Sequence, residues 1–258
     1  RPGQRVVVDP LVACGRCDQC RAGRRHLCRD QSFLGCPGQL GGALVEQLVL
    51  PETCCFAVPD AITPERAVLL EPFPIALHAT RLAGDLAGRR VGILGAGPIG
   101  LCVLAAAQVA GAAAAYVTEI RDVRGRLATQ MGATWVGNPQ REDVVAAVLE
   151  REGGGLDATF ECAGEQETMD QGVAMLGPAG ALLLAGIGEF DRGSFRMENL
   201  RRRELRVQAV RRQNECVEAG LELLATGRVN LDALVTHHFP LEKTGDVRVA
   251  GQRMTDQD

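Results

Sequence analysis

The sequence predicts an α/β protein built on a doubly wound parallel sheet, preceded by a smaller β-rich segment. Three observations carry this. The run Val91-Gly92-Ile93-Leu94 ends in a Gly-x-Gly-x-x-Gly turn, Gly95-Ala96-Gly97-Pro98-Ile99-Gly100, which opens an alanine-rich helical stretch to about Ala110. Beyond it, short apolar runs alternate with helix-length segments as far as Gly227. Ahead of it lies Cys14-x2-Cys17-x2-Cys20-x7-Cys28, in a Gly- and Arg-rich stretch without apolar periodicity.

Taken in order, Val6–Val8 reads as a strand ending at Asp9-Pro10, and the cysteine lobe follows. Four thiolates close a tetrahedral Zn²⁺ shell with no open position, which makes such a site structural rather than catalytic. Arg16, Arg21, Arg24 and Arg25 would offset part of its negative charge. Two disulfides or an iron–sulfur cluster are the alternatives, and His26 is a spare ligand that four cysteines make unnecessary. Ala43–Leu50 is expected to be β-rich, Phe56–Pro59 extended, and Pro64–Leu70 a short helix. Glu71 stands among Val68, Leu69, Leu70 and Phe73, either buried with a partner or exposed at a helix break, and His78 reads as a hydrogen-bonded core histidine. A polar connector, Gly84–Arg90, precedes the first sheet strand.

Each glycine of the turn has a physical task. Gly95 permits the tight turn, Gly97 lets backbone approach a pyrophosphate, and Gly100 lets the helix pack on the strand. The second strand, Ala115–Thr118, ends at Glu119, 19 residues past Gly100 and placed to bind a ribose hydroxyl. With strand, helix and acid all present, a chance glycine turn is disfavoured. The remaining strands are Thr134–Val136, Leu156–Glu161, Ala181–Ala185 and Leu205–Ala209. The helices are Arg141–Glu150, Glu167–Leu176 closed by Gly177-Pro178, and Glu215–Thr226. Arg201-Arg202-Arg203 reads as a solvated helix face, and the polar tail from Gly251 as frayed.

Composition narrows the function. The chain has 258 residues, enough for two ordinary domains, and a net charge of −4, which argues against nucleic-acid or anionic-membrane partners. No run approaches the ~18 apolar residues of a membrane span. Ten cysteines, four clustered and six scattered, suit a reducing, cytoplasmic setting with one thiolate site. The chain opens at Arg1 and runs at once into Val6–Val8, so it reads as starting inside a domain.

These residues together resemble the zinc-dependent medium-chain alcohol dehydrogenases, in the sorbitol (L-iditol) and threonine dehydrogenase branch, from about Arg1 to about Val249. The resemblance implies a partial GroES-like catalytic domain at 1–84, a Rossmann dinucleotide-binding domain at 85–229 and a return segment at 230–258. The cysteines match the structural zinc lobe, Gly41–Glu46 the strand leaving it, and Leu234–Leu241 the return to the catalytic domain. It further implies that Glu71 faces a catalytic zinc, as ligand or as a neighbour binding substrate. Gly95, Gly97, Pro98, Ile99 and Gly100 would hold the pyrophosphate of NAD, Glu119 its ribose and Arg124 its adenosine. Ala185, Gly186, Ile187, Val210 and Arg211 would lie at the nicotinamide, and Arg212 on the substrate side. Gln213 departs from the tyrosine of animal sorbitol dehydrogenases, which leaves substrate choice open.

The family holds its catalytic zinc with an upstream Cys and a His inside Gly-His-Glu. No Gly-His-Glu occurs here, and His26, His78, His237 and His238 do not fit that role. The family would place roughly 75 residues before Arg1, so the chain is expected to bind NAD without turning over an alcohol by itself. The implied reaction is oxidation of a secondary alcohol of a polyol, sugar or cyclitol in a homo-oligomer, dimer or tetramer. An aromatic content of 3% gives no sign of a pocket for a bulky apolar alcohol. The alternatives are an amino-cyclitol dehydrogenase of an antibiotic pathway, similar in kind to 2-deoxy-scyllo-inosamine dehydrogenase, and a non-catalytic zinc-lobed nucleotide-binding protein.

Overall fold

The structure is a computed structural model that describes residues 1–243. The tail from Gly251 and the last part of the return segment lie outside the described residues. β1 (Val6–Val8) and β2 (Leu11–Ala13) lead into the cysteine lobe, which contains α1 (Asp18–Arg21). β3 (Gln31–Phe33) leaves the lobe, and β4 (Cys55–Ala57) follows an irregular stretch. β1 pairs antiparallel with β4, and β2 with β3, so two short ladders frame the lobe.

Ala43–Leu50 does not form the expected β structure. Residues 41–50 hold no strand, and Leu44, Val45, Leu48 and Val49 are exposed, Val49 by 96%. The residues have strand propensity, but among the described residues no segment lies alongside to accept the ladder, and an unpaired strand is not stable alone.

α2 (Pro64–Ala67) starts as its sequence dictates, with Thr63 as N-cap accepting from the Arg66 amide and Pro64 at the first helical position. Arg66 grips Asp232 with both nitrogens, at 2.7 and 2.5 Å, fixing α2 to the return segment. α3 (Phe73–Ala83) buries Phe73, Ala76, Leu77 and Ala79 in the main core, shared with the nucleotide domain.

The sheet begins at β5 (Arg90–Leu94), followed by α4 (Pro98–Val109), β6 (Ala114–Thr118), α5 (Asp122–Gln130) and β7 (Trp135–Gly137). Its second half holds α6 (Val144–Arg151), β8 (Leu156–Glu161), α7 (Gln166–Met175), β9 (Leu176–Leu184), α8 (Met197–Arg202), β10 (Arg206–Ala209) and α9 (Val217–Ala225). The six strands are all parallel, in the order β10-β9-β8-β5-β6-β7. Counted within the sheet, this is the order of a doubly wound dinucleotide fold, whose crevice opens between β5 and β8 at their C-terminal ends. β5, β6 and β8 are buried over most of their length because helices cover both faces. α4 buries eight of its twelve residues, Gly100 to Ala107, between the sheet and α3.

Two further readings are corrected. Gly177-Pro178 does not close a helix: α7 stops at Met175, and Leu176 turns extended and starts β9, which contains both residues. Arg203 is not merely solvated. Its guanidinium donates to the carbonyls of Val173, Ala174 and Leu176, satisfying the end of α7.

At the turn between β5 and α4, a Cβ on Gly100 would fall inside the carbonyl of Gly95, and Gly95 itself has φ 99°. Gly100→Ala should therefore destabilise the chain by about 3 kcal/mol or more, read as a lowered urea midpoint, while Gly153→Ala, which meets nothing within 4 Å, should not.

Candidate functional site

The cleft at the C-terminal edge of the sheet is built from three turns. In the first, the Gly95 amide donates to Thr118 O at 2.8 Å, locking the ends of β5 and β6 together. Gly97 is the N-cap of α4 and offers no side chain to it, and Pro98 occupies the first helical position. The start of α4 thus faces the cleft with backbone alone, the arrangement that accepts a phosphate. Arg124, from the first turn of α5, lies beside it, its Nη1 3.9 Å from where a Gly97 Cβ would stand.

Glu119 follows β6 directly and is buried. Its Oε2 accepts from the Ala96 amide at 2.8 Å and its Oε1 from the Arg121 amide at 2.9 Å. The carboxylate is thereby held at the rim of the glycine turn, with lone pairs to spare for further donors. These residues fit a dinucleotide: the turn excludes every side chain where phosphates would pass, and a fixed carboxylate stands where a ribose diol would donate.

The second turn follows β8, and sequence reasoning missed its central residue. Glu161 is 2% exposed. Its Oε1 accepts from the amides of Ala163 and Gly164 at 2.8 and 2.7 Å and from Thr168 Oγ1 at 2.8 Å. Its backbone carbonyl accepts from the amides of Ala185 and Gly186, both at 2.9 Å. A Cβ on Gly186 would sit 2.5 Å from Glu161 Oε2, so only glycine fits. The available signal was an acid closing an apolar strand and followed three residues later by Gly164.

The third turn leaves β10. Val210 N donates to Leu184 O at 2.8 Å. Arg211 is exposed, while Arg212 is half-buried with φ 53°, its guanidinium 3.5 Å above the Phe33 ring and its Nη1 buried without a partner. Burial and the like charge of Arg211 pull Arg212 below its ordinary pKa.

A cavity of about 410 Å³ unites these parts. Its walls include Glu71, Ile99, Ala185, Gly186, Ile187, Val210, Arg211 and Arg212, together with Asp9, Phe33 and Cys36. Of the expected site residues, Gly95, Gly97, Pro98, Gly100, Glu119 and Arg124 do not line this cavity; they belong to the adjoining cleft, and Ile99 links the two. Glu71 is exposed at the cavity rim, yet crowding by the protein, followed by the negative charge of Asp9, raises its carboxyl above the usual range, with Arg212 opposing. Asp9 is likewise raised, chiefly by burial, although its oxygens accept from the Leu11 amide and Gln213 Nε2.

The four lobe cysteines converge separately from Glu71. Their sulfurs all lie within 4.8 Å of one another, and Cys17 and Cys28 are 3.9 Å apart. A tetrahedron with Zn–S bonds of ~2.3 Å has edges of about 3.8 Å, so the donors fit zinc in type, number and spacing. All ten cysteines are free, which leaves no disulfide pairing. Cys14 N donates to Cys28 Sγ at 3.2 Å, and Asp18 pairs with Arg29 at 2.6 and 2.9 Å across the lobe. Among the described residues this is the one group of three or more potential metal ligands. His26 is not part of it, and its ring stands edge-on to His78 at 4.9 Å.

The chain matches the family model of the zinc-binding dehydrogenases over residues 98–226 and that of the alcohol dehydrogenase GroES-like domain over residues 1–60. It is 32% identical to sorbitol dehydrogenase of Bacillus subtilis over 245 residues, 95% of this chain and 69% of that protein. It is 35% identical to L-threonine 3-dehydrogenase of Pyrococcus abyssi over 241 residues, 92% of this chain and 68% of that one. A zinc-binding dehydrogenase target from Sinorhizobium meliloti, solved with NADP bound, superposes with a TM-score of 0.90 at 32% identity, covering 96% of this chain and 73% of that one.

Two outcomes follow from the lobe and its docking. Metal analysis of the purified chain should find one zinc, and Cys17→Ser should lose it and lower the melting temperature; iron, or disulfides found by mass spectrometry, would contradict the fit. His78 is buried, and burial first, then the charges of His26 and Arg81, depress its imidazole to about 4. The unfolded ring takes a proton near ~6.5, so acid favours unfolding; this contribution is intact above ~6.5 and erodes as the pH falls towards 4. His78→Phe should flatten that acid limb in urea unfolding measured across the window.

Proposed function

Because the chain belongs to the zinc-dependent alcohol dehydrogenase family, in its sorbitol and threonine dehydrogenase-like branch, we propose that its cleft serves oxidation of a secondary alcohol of a polyol, sugar or cyclitol to the ketone, with NAD as hydride acceptor, once catalytic-zinc ligands beyond Glu71, which the described residues do not group with it, are supplied. One observation carries this reading: the cavity with Glu71 on its rim opens beside the glycine turn and is walled by the loops after β9 and β10.

In this reading, backbone at Gly95, Gly97, Pro98, Ile99 and Gly100 receives the pyrophosphate, and Arg124 lies against the adenosine. Glu119 accepts hydrogen bonds from the ribose diol. Ala185, Gly186, Ile187, Val210 and Arg211 fix the nicotinamide end, and Arg212 orients the substrate from the opposite wall. Cys14, Cys17, Cys20 and Cys28 hold the structural zinc. Glu71 stands at the reaction centre, as ligand or as neighbour of the catalytic zinc. When bound, NAD supplies the hydride acceptor and the catalytic zinc the Lewis acid that favours the alkoxide. The raised carboxyl of Glu71 reflects its crowded setting and the nearby Asp9, surroundings that a cation there would stabilise.

The preference for NAD over NADP rests on Glu119. A buried carboxylate already bonded to Ala96 N repels a 2′-phosphate. Calorimetric titration should find NAD⁺ binding at least about 10-fold tighter than NADP⁺, a gap of ~1.4 kcal/mol, and Glu119→Ala should narrow it. Tighter binding of NADP⁺ by the unmodified chain would refute the assignment. In a preparation that turns over a polyol, Glu71→Gln should lower kcat/KM by about 10-fold or more, with NAD affinity unchanged.

A further inference from the structure

The segment between β10 and α9 is strained in a way its cofactor role alone does not require. Two non-glycine residues, Arg212 at φ 53° and Glu215 at φ 52°, bracket Gln213 and Asn214. Left-handed backbone at such residues persists only where the surroundings over-determine it. Here the surroundings are the cysteine lobe. Asn214 Nδ2 donates to Gly23 O at 2.8 Å, between Cys20 and Cys28. Gln213 Nε2 donates to Asp9 Oδ2 at 2.6 Å, on the chain entering the lobe before Cys14. Arg212 stacks on Phe33, on the chain leaving it after Cys28. Three consecutive residues thus grip the lobe before, within and after its cysteines. The Gln213 carbonyl oxygen, Oε1, also accepts from Cys216 N at 2.9 Å, which carries the grip to the start of α9.

The lobe cannot hold these anchors in place by packing. α1 buries nothing, and between Cys14 and Asp30 only His26 and Cys28 are buried. Its shape depends on the metal that its thiolates accept. We propose that Gln213 and Asn214 are positioning residues that lock segment 210–212 onto the four-cysteine lobe, so that zinc in the lobe and nucleotide in the cleft strengthen each other's binding. The proposal rests on the reading of Val210 and Arg211 as nicotinamide-side residues.

Thermodynamic coupling is reciprocal, which gives two independent readouts. In the zinc-loaded chain, saturating NADH should slow zinc transfer to a chromogenic chelator by about 5-fold or more. Zinc removal should weaken NADH binding, followed by nucleotide fluorescence, by a similar factor. Gln213→Glu sets a second carboxylate against Asp9 and should abolish the protection by NADH. Adding Asp9→Asn supplies an amide that donates in the reverse direction, and should restore it. Asn214→Ala, checked for native circular dichroism, should reduce protection on its own. The proposal is overturned if NADH leaves zinc transfer unchanged in the unmodified chain, or if Gln213→Glu lowers the melting temperature yet keeps full protection. It also falls if the chain binds neither NADH nor NADPH, and in that case the reading of the cleft as a dinucleotide site fails first.

Discussion

The contact on which the cofactor edge depends is the approach of Gly100 to the carbonyl of Gly95. No side chain fits between them, so α4 starts against the end of β5 instead of one residue-width away. That closeness places Gly97 as a bare helix cap and brings Ala96 N within reach of Glu119. Had the helix begun farther out, the carboxylate after β6 and the amides after β5 would not share one rim. The approach also presses α4 onto Ile93, whose Cγ2 lies 3.4 Å from the position of a Gly100 Cβ. Turn geometry and core packing are therefore a single constraint.

Two buried carboxylates repeat one device on either side of β5. Glu119 closes β6 and grips the glycine turn; Glu161 closes β8 and grips the turn through Gly164. Glu119 spends both oxygens, and Glu161 its Oε1, on backbone donors that the end of a parallel strand would otherwise leave open. Burial of an acid is tolerable on these terms because the charge is met by several N–H and O–H groups. The loops that line the cavity thus inherit their shape from the strand ends and not from flexible packing. Arg203 does the corresponding work at the opposite pole of α7, where carbonyls and not amides need partners.

Much of this was legible in the sequence wherever spacing alone dictates chemistry. The glycine turn, Glu119 and the cysteine series are local patterns, and each lies where its spacing implies. The six strands of the sheet followed from apolar runs, although β9 begins at Leu176 and not at Ala181, and α5 carried no apolar run that marked it. What sequence could not show was partnership. Ala43–Leu50 has the composition of a strand, but a ladder needs a neighbour. Gly177-Pro178 resembles a helix stop, yet the chain had already turned extended at Leu176 and passes through it as strand. Glu161 looked like the polar end of an apolar run: its three donors are only two, three and seven residues on, but they meet it only once the chain after β8 has closed into a turn. Asn214 and Gly23 are 191 positions apart in sequence, and no local pattern links them.

The parallel order of the sheet delivers all six strand ends to one edge, but the loops there are unequally free to diverge. Between Ala209 and Val217 three consecutive polar side chains are engaged: Arg212 on Phe33, Gln213 on Asp9, Asn214 on Gly23. Ile187, by contrast, is 94% exposed and makes no such commitment. Acquisition of new alcohol substrates by this scaffold is therefore channelled. Drift can accumulate at Ile187, though not at its neighbour Gly186, whereas a change at 212–214 must be accommodated at Asp9, Gly23 or Phe33, in the lobe or on its flanks.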